Sequence, residues 1–71
     1  MRYSVVLLPE DDGRFTATVP ALPGCVTFGN SPDQALERVR DAITQYVASL
    51  EAHGEPVPEE HGQVQVALVE V

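Results

Sequence analysis

The residues able to do chemistry in this 71-residue chain are few and scattered. Glu10, Asp11 and Asp12 are consecutive carboxylates, the hard oxygen donors that hold divalent cations. They lack the spacing of a calcium-binding helix–loop–helix, and Gly13 follows them, so the run also reads as the solvated tip of a hairpin. His53 and His61 are residues that ligate metals or move protons, yet neither has a partner at ligand spacing. His53 falls where a helix should end and would favour the dipole there. Cys25 would need an adjacent base to act as a nucleophile, and no signature supplies one; a small buried or half-buried role suits it better. Ser31 is accounted for by helix capping rather than by a nucleophile elbow, and Gly24 and Gly29 are too far apart for a phosphate loop. No constellation supports catalysis, and no metal or cofactor is implied.

The elements that would position these residues follow from periodicity. Arg2–Leu8 reads as a strand, Glu10–Gly13 as a turn, and Arg14–Val19 as a second strand with Phe15, Ala17 and Val19 on one face. Pro20 and Pro23 end it, because proline donates nothing to a ladder, and a short strand Cys25–Phe28 follows. Asn30–Gly54 reads as a helix: Ser31 as N-cap, Pro32 at the first turn, Gln34 closing a capping box, and Gly54 as the stop. Its apolar stripe is Ala35, Leu36, Val39, Ala42, Ile43, Tyr46, Val47 and Leu50, with Arg38–Asp41 and Glu37–Arg40 spaced to pair on the wet side. Val64–Val71 reads as a final strand, reached by a crossover and so expected parallel to a hairpin strand. The predicted fold class is α+β, a two-layer βββαβ domain with an antiparallel hairpin-led sheet and one helix packed on one face.

One helix covers one face, and the predicted strands are apolar on both. Tyr3, Val5 and Leu7 would point one way and Val6 and Leu8 the other; the last strand would divide into Val64, Val66, Leu68 and Ala67, Val69, Val71. Burying four such side chains is worth roughly 6 to 12 kcal/mol, comparable to the stability of a small domain. Soluble monomers seldom leave so large an apolar patch in water. The candidate interface with a partner or a second copy is therefore Val6, Leu8, Ala67, Val69 and Val71, unless the C-terminal residues fray and the patch is smaller. A chain this short also needs a staple or a partner, and one cysteine rules out an internal disulfide.

Charge narrows the partner. The chain has a net charge of -7, with 4 Lys+Arg, all arginine, against 11 Asp+Glu. Phosphate neutralisation needs clustered basic residues, so nucleic-acid binding is disfavoured, and polybasic membrane docking fails for the same reason. A basic protein suits the charge. No segment reads as a signal peptide or membrane span, and the lone cysteine fits a reducing compartment, so a cytoplasmic location is expected.

The ordered set Asp12-Gly13, Phe15, Ala17, Val19-Pro20, Leu22-Pro23-Gly24-Cys25, Gly29, Ser31, Ala35-Leu36, Ala42-Ile43 and Gly54 with Pro56 and Pro58 resembles the HicB antitoxin family. The likeness runs from Tyr3 to about Pro58, and VPALPGCVTFGNSPDQAL is its most specific stretch. It implies a partner-binding domain with a partial RNase H-like sheet and one helix. Family members neutralise HicA, a small basic ribonuclease toxin, and many continue into a C-terminal DNA-binding domain. No such domain falls within these residues, so DNA binding is not carried over. The expected function is that of a HicB-like antitoxin that contacts a HicA-like toxin, as a homo-oligomer. Two other readings are a solitary oligomeric or ligand-binding scaffold, and a metal-dependent hydrolase using Glu10, Asp11 and Asp12.

Overall fold

In a computed structural model, which describes residues 1–62 and 64–71, the chain forms three strands and then one helix. Strands β1 (Val6–Pro9), β2 (Phe15–Thr18) and β3 (Val26–Gly29) pair antiparallel in the order β1-β2-β3. The register sets Val6 opposite Thr18 and Leu8 opposite Thr16 on one side, with Thr18 opposite Val26 and Thr16 opposite Phe28 on the other. Helix α1 spans Pro32–Ala52 and lies over β2 and β3.

The helix boundaries are built as the residue types require. Ser31 holds an extended backbone, and its side chain accepts the N–H of Gln34 at 3.1 Å. The Gln34 side-chain oxygen accepts from the N–H of Asn30 at 2.7 Å, one residue before the position a capping box would use. At the other end the N–H of Gly54 donates to the Glu51 carbonyl and that of Glu55 to the Leu50 carbonyl, a Schellman stop that needs the left-handed backbone of Gly54, φ 68. The side-chain pairs expected on the wet face do not form: Arg38 donates instead to the Phe28 carbonyl at 3.1 Å, tying α1 to β3. Among the described residues the ion pair that forms is Arg14–Asp12.

The core is Ala17, Val19, Leu22, Cys25, Ala35 and Val39, with Tyr3, Val5, Leu7, Phe15, Ala42, Ile43 and Tyr46 half-buried around it. Leu22 is fully buried although it lies between two prolines. Its loop folds inward through bonds from Leu22 N–H to the Val19 carbonyl, Cys25 N–H to the Leu22 carbonyl, and Val19 N–H to the Cys25 carbonyl. Tyr46 of α1 fastens the same loop by donating to the Pro23 carbonyl at 2.8 Å. Gly29 is buried where β3 meets the helix start; a Cβ there would collide with the backbone of Gln34 and Ala35. Leu36, predicted in the apolar stripe, is 42% exposed and lies on the outer face beside Asp33, Glu37 and Arg40.

Among the described residues the expected final strand is absent, so the order is βββα rather than βββαβ, and the α+β class holds. After α1 the chain returns to β1: Tyr3 Oη donates to the Pro58 carbonyl at 2.6 Å, and the N–H and hydroxyl of Ser4 donate to the Glu60 carboxylate at 2.6 and 2.7 Å. These bonds tie residues 58–60 to the chain that leads into β1. Gly62, at φ 78, then turns the chain, and Val64–Val71 joins no strand. The radius of gyration, 13.5 Å, exceeds the roughly 11 Å of a fully compact chain of this length, consistent with a projecting tail.

Candidate protein-binding surface

The sheet has one dressed side and one bare side. Alternation along each strand sends Leu7, Phe15 and Ala17 toward α1, and Val6, Leu8, Thr16, Thr18, Val26 and Phe28 to the opposite face. Two cross-strand rows result, Val6–Thr18–Val26 and Leu8–Thr16–Phe28. Leu8 is 51% exposed, and Val26 and Phe28 are each 47% exposed. Each is a large apolar side chain that keeps about half its surface in water, and together they form one patch around two threonines.

Acidic groups border this patch at the hairpin end. Thr16 Oγ1 donates to Glu10 Oε1 at 2.7 Å, drawing that carboxylate toward the bare face. Asp12 accepts from the backbone N–H of Arg14 at 3.0 Å and pairs with its Nε at 2.8 Å. Those two contacts, the backbone bond first, hold the Asp12 carboxyl below its usual range. The Arg14 guanidinium also stands over the Phe28 ring, 5.4 Å from its centroid. Glu10, Asp11, Asp12, Arg14 and Phe28 thus line one shallow hollow.

Among the residues read as possible ligands or catalysts, the structure assembles no site. Cys25 is buried, and burial pushes its thiol pKa up, away from a reactive thiolate. The Nδ1 of His53 lies 2.7 Å from the Ser49 carbonyl, where it helps close the helix. Among the described residues no three His, Cys, Asp or Glu side chains group to hold a metal ion, and no helix is long and apolar enough to cross a membrane.

The predicted interface residues divide. Val6 and Leu8 lie together on the bare face, beside Val26 and Phe28, which the sequence reading omitted. Their signal was present: Val26 and Phe28 alternate out of phase with the buried Cys25. Ala67, Val69 and Val71 are exposed, in no strand and on no sheet face.

Residues 3–69 match the profile of a family described as HicB_like antitoxin of bacterial toxin-antitoxin system. The chain belongs to the HicB-like antitoxin family. This HicB-like chain is 38% identical over 63 residues to a UPF0150 protein of Thermoplasma acidophilum, covering 89% of the chain and 91% of that relative. It is 40% identical over 58 residues to a UPF0150 protein of Synechocystis, covering 82% of the chain and 73% of the relative. Its structure resembles the crystal structure of the N-terminal domain of the Burkholderia pseudomallei antitoxin HicB, with a TM-score of 0.74, 29% identity, and coverage of 83% of this chain and 69% of that one. The three antiparallel strands followed by one helix are the fold it shares with that domain.

Proposed function

We propose that this chain neutralises a small basic toxin of the HicA ribonuclease type by protein–protein contact in the cytoplasm, without catalysis of its own. The observation that carries the reading is the bare apolar face of Val6, Leu8, Val26 and Phe28, bordered by Glu10 and the other acids of the hairpin tip. An RNA-cleaving toxin must present basic residues to phosphate, and a net charge of -7 complements such a surface. Apolar contact would supply affinity, and the carboxylates would steer association and set orientation. Family membership supports a toxin as the partner. The candidate contact residues remain Val6 and Leu8, with Ala67, Val69 and Val71 joining them if the chain works as a homo-oligomer.

The test is co-expression with the small basic protein encoded next to this one. The expected result is co-purification and rescue of growth from that protein, both weakened by Leu8→Asp and Phe28→Asp. No neighbouring basic protein, or no protection by the wild-type chain, would overturn the reading; a stable homo-oligomer alone would then favour a solitary scaffold.

A further inference from the structure

The segment Val64–Val71 is the most apolar stretch without a partner. Leu68 and Val71 are fully exposed, and Val66 and Val69 are 84% and 80% exposed. It alternates as a strand with two apolar faces would, and it carries one charged side chain, Glu70, in a chain of net charge -7. With a single carboxylate along eight residues, it can lie on another copy with little like-charge repulsion. Its root is fixed by the bonds of Glu60 to Ser4, and Gly62 turns it past Pro20 and Ala21, where Val64 lines a hollow.

Two vacancies elsewhere match it. The first is the outer edge of β1. The N–H of Glu10 donates to the Arg14 carbonyl, so the hydrogen-bonded pairs along that ladder are Leu8–Thr16 and Val6–Thr18. The N–H and C=O of Leu7 therefore point away from β2, toward an edge that no strand among the described residues occupies. The second is a hollow of about 410 Å³ between α1 and the chain leading into β1, lined by Tyr3, Ile43, Val47 and Ala48 together with the polar Arg40, Thr44 and Glu51. Among the described residues, none beyond Glu51 lines it. A strand laid along the edge of β1 would set one row of side chains into this hollow and the other row beside Val6 and Leu8. At about 3.3 Å per residue Val64–Val71 reaches roughly 26 Å, enough to run the whole of the four-residue β1.

We propose that Val64–Val71 is an exchange arm that adds a fourth strand to β1 of a second copy. Val64, Val66 and Leu68 fill the hollow against Ile43 and Val47, while Ala67, Val69 and Val71 widen the bare face begun by Val6 and Leu8. Reciprocal exchange gives a two-fold dimer in which each copy completes the other's sheet. This inference does not rest on the toxin reading, and its failure would leave that reading to its own test.

The experiment uses the full chain. In an equimolar mixture of isotope-labelled and unlabelled copies, isotope-filtered NOEs should connect methyls of Val64–Val71 with those of Ile43, Val47 or Leu7 across copies. The Leu7 amide should exchange at least tenfold more slowly than in Val66→Asp/Leu68→Asp, which should sediment as a monomer with its helical circular dichroism intact. Arm contacts confined to one copy would overturn the proposal by showing the arm folding back on its own β1. An arm without contacts, or one protected only when a different protein is added, would overturn it as well.

Discussion

The two sides of the sheet are made from the same four-residue strands, and they behave oppositely. On the helix side Ala17 meets Ala35 and Val39 within one cluster, Leu7 and Phe15 pack against it, and even the loop residue Leu22 is fully buried. On the other side Leu8, Val26 and Phe28 stand half in water around Thr16 and Thr18. Hydrophobic pattern alone does not separate these rows, because both alternate with period two; what separates them is the single helix and where it lands. The helix side is committed to folding, whereas the bare side leaves apolar area open to water.

Substitutions on the two sides should therefore fail in different ways. The largest loss of stability is expected from Leu22→Ala, about 3 kcal/mol in urea unfolding, because it empties a site closed by the loop and by α1. Gly29→Ala should cost about 2 kcal/mol, since the new methyl meets helix backbone that cannot rotate away. Ser31→Ala removes the cap of α1 and should cost about 1 kcal/mol. Leu8→Asp should change folding stability by only about 0.5 kcal/mol yet abolish association by size-exclusion chromatography, and Val6→Asp should likewise disrupt assembly more than it disrupts the hairpin. A Leu8→Asp chain that unfolded as readily as Leu22→Ala would erase the distinction between the sides.

The smallest expected effect concerns the root of the tail. The Ser4 N–H, then its hydroxyl, hold the Glu60 carboxyl below its ordinary range. A carboxylate with a lowered folded-state pKa stabilises above its unfolded value and loses that contribution as pH falls through the folded one. Residues 55–60 should thus loosen below the ordinary carboxylate range, seen as faster exchange of the Ser4 amide, and Glu60→Gln should flatten that dependence. The same loosening in Glu60→Gln as in wild type would assign the effect to another acid.

Local residue chemistry made most of the fold legible. Ser31, Pro32 and Gly54 define the helix by capping rules that depend on nearby residues alone, and the Asp12-Gly13 turn with Phe15, Ala17 and Val19 gives the hairpin in the same way. The misreadings come where tertiary contacts decide. Leu22 does lie in the loop that ends β2, but its full burial, in a loop that Tyr46 ties to α1, is a tertiary feature with no local sign. Leu36 fits the helical stripe but falls beyond the edge that the sheet covers. Val64–Val71 has every local sign of a strand and joins none although the outer edge of β1 is open, since pairing also depends on where the preceding chain, held by Glu60 and turned at Gly62, delivers it. Of the candidate interface, Val6 and Leu8 were legible from alternation, while Val26 and Phe28 needed the register of β3.

Sedimentation velocity of the intact chain, from micromolar to hundreds of micromolar, addresses most directly whether the bare side is a surface made for another protein. The account predicts a species of at least twice the 7.7 kDa chain mass, shifted to the single-chain mass by Leu8→Asp. A wild-type chain that sediments at 7.7 kDa throughout that range, and gains no mass when its neighbouring basic protein is added, would contradict it.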